Sequence, residues 1–170
     1  MENIKPWIGS IALLPISIWL TINAGDFIFI LDHFNLLIHE GGHGIFSLFG
    51  SFVYTLGGTL MQIILPLLFV YYFMSHRKNF GTQISFVWLG QNLMNISVYV
   101  ADAQERNLPL LGGNKVYHDW YFLLGRVGLL EYDNHIAIGF YFLGIVFFIL
   151  ALLIPLLIKE YKEANIELNL

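Results

Sequence analysis

Apolar runs long enough to cross a bilayer recur along most of the 170 residues, which points to a polytopic membrane protein. Hydrophobic residues make up 57% of the chain and only 12% are charged, against roughly 25% in soluble domains. Little sequence remains for a separate soluble unit, so residues 1–170 read as a single membrane-embedded domain. The net charge of -4 and the lack of a basic cluster argue against a nucleic-acid partner. There is no cysteine, which excludes disulfides, thiolate metal sites and cysteine nucleophiles. Any metal has to be held by His, Asp or Glu.

The pattern predicts an all-α fold with about four to five transmembrane helices. The first covers Trp7 to Ile22; it is longer than a signal-peptide core, and Asn23-Ala24-Gly25 is a poor cleavage site, so it is expected to be retained. A second, Phe27 to Phe49, carries Asp32, His33 and the segment His39-Glu40-Gly41-Gly42-His43. Gly50 to Gly58, bounded by glycine, reads as a short extended or re-entrant connector. Helices follow over Thr59–Ser75 and Gln83–Ala101, the latter with an uneven polar stripe of Gln91, Asn92 and Asn95. Residues 102–134 are the only long polar segment, with a loop signal at Asn107–Gly113 and a short helix opened by His118-Asp119-Trp120. A last helix spans His135 to Ile158. Counting each long helix as one crossing puts Lys5, Arg106, Lys115 and Arg126 on one side and Arg77, Lys78, Lys159 and Lys162 on the other, a tie under the positive-inside rule.

His39-Glu40-Gly41-Gly42-His43 is an HExxH motif. On a helix the two histidines share a face four residues apart, so both imidazoles reach one Zn²⁺, while Glu40 is placed to activate a zinc-bound water. Ionisable side chains at membrane depth cost about 2.5–3.5 kcal/mol each on insertion scales, so this cluster needs a joint justification. A shared metal supplies one, and it is favoured over simple interhelical hydrogen bonding by His39 and His43. Gly41, Gly42 and Gly44 oppose helix stability, yet let a neighbouring helix or a substrate approach closely. A catalytic zinc takes three protein ligands and keeps one position open. Asp102, ending the fourth helix, and His118 are near-equal candidates for the third ligand; the other is then expected to orient a ligand or contact substrate. For His118-Asp119 the alternative is a helix N-cap, and for Asp102 an interfacial carboxylate. Gly57-Gly58 with Gln62 reads as a tight turn and a packing glutamine, or as a strand that pairs with an extended peptide.

The motif in an apolar helix, the connector ending at Gly57-Gly58 and a later helix ending in Asp102 together resemble the site-2 protease group of intramembrane zinc metallopeptidases. The resemblance covers roughly Phe27 to Asp102. It implies His39 and His43 as ligands, Glu40 as the base, and Asp102 as the counterpart of the group's aspartate ligand. The group's Asn-x-x-Pro and Leu-Asp-Gly patterns are absent, since Asp102 sits in Val-Ala-Asp-Ala. The expectation is a multi-pass zinc metalloprotease of a bacterial cell membrane, hydrolysing transmembrane or juxtamembrane segments of protein substrates. The alternative is a non-proteolytic membrane protein that binds metal or acts as a scaffold.

Overall fold

The computed structural model describes residues 4–109 and 117–158, and every described regular element is helical. A 3₁₀ turn at Lys5–Trp7 leads into α1 (Ile8–Ile22). Then come α2 (Phe29–Phe46), a 3₁₀ turn at Ser47–Phe49, α3 (Gly50–Ser75) and α4 (Asn79–Ala101). After the loop, α5 (Asp119–Val127) stops at Gly128, whose φ of 71° gives the left-handed cap that favours glycine. A 3₁₀ turn at Leu130–Tyr132 precedes α6 (Asp133–Leu157). Lys115, Lys159, Lys162 and the end of the predicted Asn107–Gly113 loop lie outside the described residues.

The expected extended connector at Gly50–Gly58 is instead the first two turns of α3. The chain breaks only at Gly50, with φ of 84°, and helix resumes at once. Gly57 and Gly58 are neither turn nor strand; they form a buried contact between helices. A Cβ on Gly42 of α2 would run into the Gly57 carbonyl, and one on Gly58 would overlap the His39 ring. Glycines that read as breakers in isolation therefore let two helix backbones touch, as small residues do between membrane helices.

Helix α4 is the hub, packed most extensively against α6 and α3. Leu89, Leu93, Ile96 and Val100 are fully enclosed, and so are Gln83, Asn92 and Thr82. Large apolar side chains face outward instead on the peripheral helices: Ile11 and Ile18 of α1, Leu68 and Tyr71 of α3, Phe142 and Leu156 of α6. Three stretches, Lys5–Ile22, Phe29–Ser75 and Leu130–Leu157, are long and apolar enough to cross a membrane. Helix α4, with its polar stripe, is not among them.

Contacts along the helices fix their directions. Near its start α1 meets the start of α4, where Gln83 Nε2 donates to Ser10 Oγ at 2.7 Å; beyond its end, Gly25 packs against Val98. Thus α1 and α4 run parallel. Helix α3 runs against α4, with Gln62 at Asn92, Phe69 at Trp88 and Phe73 at Gly81. Helix α2 starts beside the C-terminal half of α4, where Asp32 accepts from Asn95 and Gln91 at 2.6 and 2.8 Å. It finishes beside the first turns of α3, where His43 meets Tyr54. Both ends of α2 therefore lie at one end of the bundle. This revises the sidedness obtained by counting crossings: Lys5 lies at the same end as Arg77 and Lys78, and Arg106 and Arg126 lie at the other.

Candidate metal centre

A polar lattice holds α2 against α4 beneath the site. Trp88 Nε1 donates to Asn35 Oδ1 (2.9 Å), Asn35 Nδ2 to Gln91 Oε1 (2.6 Å), and Gln91 Nε2 to Asp32 Oδ1 (2.8 Å). Each amide is oriented by its neighbours, from an obligate donor at the indole to an acceptor at the carboxylate. The stripe on α4 thus sets the pose of α2, and with it the pose of the two histidines a turn or two further on.

His39 and His43 project from one face of α2, their rings edge-to-face with centroids 4.8 Å apart. His43 Nδ1 lies 2.8 Å from the Tyr54 carbonyl, and since a carbonyl only accepts, Nδ1 carries a proton and Nε2 is the nitrogen turned toward the cluster. His39 Nδ1 lies 2.9 Å from Gln62 Oε1. The other nitrogens converge on a carboxylate from α5: His39 Nε2 and His43 Nε2 lie 2.9 and 3.2 Å from Asp119 Oδ2. One ligand atom from each of His39, His43 and Asp119 lies within 4.8 Å of the other two.

Asp119 occupies the first turn of α5 and is held there by its main-chain N–H, which donates to the Tyr99 hydroxyl at 3.1 Å. Burial alone would favour its neutral acid, but the hydrogen bonds and charges of His39 and His43 outweigh this and hold it below the usual carboxylate range. The donor set could hold a divalent metal ion. Bonds of about 2.0–2.2 Å in a tetrahedron separate ligand atoms by about 3.3 Å, within a few tenths of an ångström of the two contacts here. Without a metal the two imidazoles contact the carboxylate through their own protons, and a divalent cation bound there would take the place of those protons.

The structure brings Asp119 to the histidine pair, and places Asp102 and His118 together behind it. Asp102 accepts from the main-chain N–H groups of Asn107 and Leu108 at 2.8 and 3.0 Å, so it caps the loop that follows α4. His118 is the N-cap of α5: Nδ1 accepts from Tyr121 N, and Nε2 faces Asp102 Oδ2 at 3.3 Å. Nδ1 is thus committed to the helix cap, and Nε2, buried and without a formed hydrogen bond, points at Asp102 and not at the cluster. Burial pushes His118 below the ordinary histidine value, against the pull of Asp102 and Asp119. The signal for Asp119 was present in the sequence. In a helix opened by His118-Asp119, a capping His118 is committed to its own first turn, and the next residue is free to reach outward.

Glu40 is exposed, and no ion pair to it exists among the described residues. It lines a cavity of about 730 Å³ together with His39, His43, Asp119 and Tyr99, and the cavity runs back along α2 to Asp32. Of the two motif glycines and Gly44 just beyond them, Gly42 is the one packed on α3, whereas Gly41 and Gly44 face open space.

Comparison of the chain with protein-family models, with characterised proteins and with solved structures finds no match.

Proposed function

We propose that this chain is a membrane-embedded zinc metallopeptidase, similar in its working parts to the site-2 protease group, with His39, His43 and Asp119 as ligands and Glu40 as general base. The observation that carries this reading is the convergence of two HExxH histidines and one carboxylate beside a free Glu40, at the wall of a cavity. A zinc ion held there supplies a Lewis acid that polarises a substrate carbonyl and makes water acidic enough to ionise near neutral pH. Glu40 takes a proton from the attacking water as its oxygen bonds to the carbonyl carbon. It then delivers that proton to the amide nitrogen as the C–N bond breaks. The products are a carboxyl terminus and a free amine.

The cavity reaches the bundle end that carries Asp26, Asp102 and α5, which favours a substrate segment lying near a membrane surface over one at mid-depth. The apolar periphery around a polar centre supports insertion of α1, α3, α4 and α6, with α2 entering and leaving on one side. The absence of native cysteine makes this directly testable. In single-cysteine variants, Asp26→Cys, Ser51→Cys and Glu105→Cys are expected to react with an impermeant maleimide from one side of sealed vesicles, and Ser75→Cys from the other. Labelling of Asp26→Cys and Ser51→Cys from opposite sides would show that α2 crosses.

The function itself is tested with purified protein in liposomes that carry a quenched-fluorescent transmembrane peptide. Wild type is expected to hold one equivalent of zinc and cleave the peptide. Glu40→Gln is expected to keep the zinc and lose at least about 100-fold in rate, the lower range of general-base contributions. Zinc binding with equal cleavage by both proteins would remove Glu40 from the mechanism. A wild type that cannot be loaded with zinc would end the metallopeptidase reading.

A further inference from the structure

The two histidines are anchored differently, and the difference assigns a role to residues on two other helices. His43 donates to a main-chain carbonyl, which fixes its tautomer without help. His39 faces the side chain of Gln62, and an amide can present either its oxygen or its NH₂ group. Turned one way, Gln62 accepts from Nδ1–H and leaves Nε2 to a metal or, without one, to a proton shared with Asp119. Turned the other way, it donates to Nδ1, the proton moves to Nε2, and the nitrogen facing Asp119 has no lone pair for a metal.

What selects the orientation lies one helix further on. Asn92 Nδ2 donates to the Trp88 carbonyl at 3.0 Å. A carbonyl only accepts, so the Asn92 amide is set, with Oδ1 toward Gln62. Gln62 Nε2 donates to that oxygen at 3.3 Å, which turns Gln62 Oε1 toward His39. Asn92 and Gln62 are both buried, Asn92 completely and Gln62 at the wall of the cavity. Gly58 completes the clamp: its missing side chain leaves room for the His39 ring, which lies flush on the α3 backbone.

We propose that Gln62 and Asn92 form a relay that holds a proton on His39 Nδ1, so that the α4 backbone at Trp88 keeps Nε2 as the nitrogen available to a metal. Gln62 is a positioning residue, and Asn92 acts through it without touching His39. This inference deepens the zinc-site reading and rests on it for its consequence in metal binding. The tautomer itself is measurable without metal.

The experiment uses full-length protein labelled with ¹⁵N-histidine, in detergent, with folding checked by monodispersity and helical content. Two readouts are taken: the ¹⁵N shifts of His39 in zinc-free protein, and zinc affinity by chelator competition. Wild type is expected to carry a proton on Nδ1, where Gln62 accepts it, whatever proton Asp119 holds on Nε2. Gln62→Leu removes the acceptor and is expected to leave Nδ1 partly unprotonated, with zinc affinity lowered 10- to 100-fold, the range for loss of such supporting contacts. Gln62→Glu keeps an acceptor oxygen and is expected to retain both the Nδ1 proton and the affinity to within a few-fold. Asn92→Leu frees Gln62 to turn, and it too is expected to leave Nδ1 partly unprotonated and to weaken zinc. A wild-type Nδ1 signal and affinity in both leucine variants would overturn the relay. So would an unprotonated Nδ1 in wild type. Absence of zinc binding by wild type would fail the metal-site reading alone, because the zinc-free ¹⁵N shifts still decide whether the relay exists.

Discussion

Asp119→Ala is expected to abolish tight zinc binding, with affinity falling more than about 100-fold, beyond the range for a residue that merely supports a ligand. The two histidines would remain, but two imidazoles give an incomplete set where a catalytic zinc site uses three protein ligands. Asp102→Ala and His118→Ala remove a loop cap and a helix cap, whose loss typically costs about 1 kcal/mol of stability. Their zinc affinity is expected to stay within about 10-fold of wild type, that is, at the edge of the supporting range. Asp119→Asn separates charge from shape: it keeps the side-chain volume and the N–H contact to Tyr99, and is expected to behave like Asp119→Ala. Equilibrium competition with a zinc chelator on the four variants gives the ranking. A larger loss in Asp102→Ala than in Asp119→Ala would transfer the ligand role.

The second large effect is on folding. Gly42→Ala inserts a methyl group where the Gly57 carbonyl stands, and the obstacle is backbone on a second helix that cannot swing aside. Overpacking of this kind costs typically 1–3 kcal/mol and occasionally more, and the rigidity of both partners places Gly42→Ala at about 3 kcal/mol. Gly41→Ala, one residue earlier, meets nothing. It is expected to be neutral or to gain up to about 1 kcal/mol from helix propensity. Thermal unfolding in detergent, on zinc-free protein so that the metal does not mask the difference, should separate the two by several degrees. Equal melting temperatures would mean that α2 and α3 can part without loss. The same pair distinguishes a packing glycine from a glycine whose cost is accepted for open space beside the motif.

How much of this was legible in the sequence follows from the range of each signal. His39, Glu40 and His43 lie within a turn and a bit of one helix, so their spacing alone places the histidines on one face. The helices of the bundle are marked by long apolar runs, and their ends are close to those the pattern predicts. The start of α3 was not legible, because local propensity treats Gly50, Gly57 and Gly58 as breakers. The contact that keeps them helical is with Gly42 on another helix. The path of α2 was hidden for a related reason: an apolar length permits a crossing but does not require one. Asp119 could not be chosen over His118 by spacing, since the two are adjacent and approach the site from the far side of a loop. What separates them is a single hydrogen bond, from Tyr121 N to His118 Nδ1. The polar stripe at Gln91, Asn92 and Asn95 was visible as a stripe, but its partners Asp32 and Gln62 are set by the fold.

The order in which the site's parts occur along the chain has a consequence for its biosynthesis. His39, Glu40 and His43 leave the ribosome early, on a helix flanked by α1 and α3. Asp119 follows only after α4 has been made, and it is seated by Tyr99 near the end of α4. Until then a nascent chain carries the two histidines and Glu40 without the carboxylate on which the histidines converge. If the site works as proposed, it cannot act before the loop that follows α4 has been made. The candidate site is thus completed late, with only α6 still to be added to the bundle.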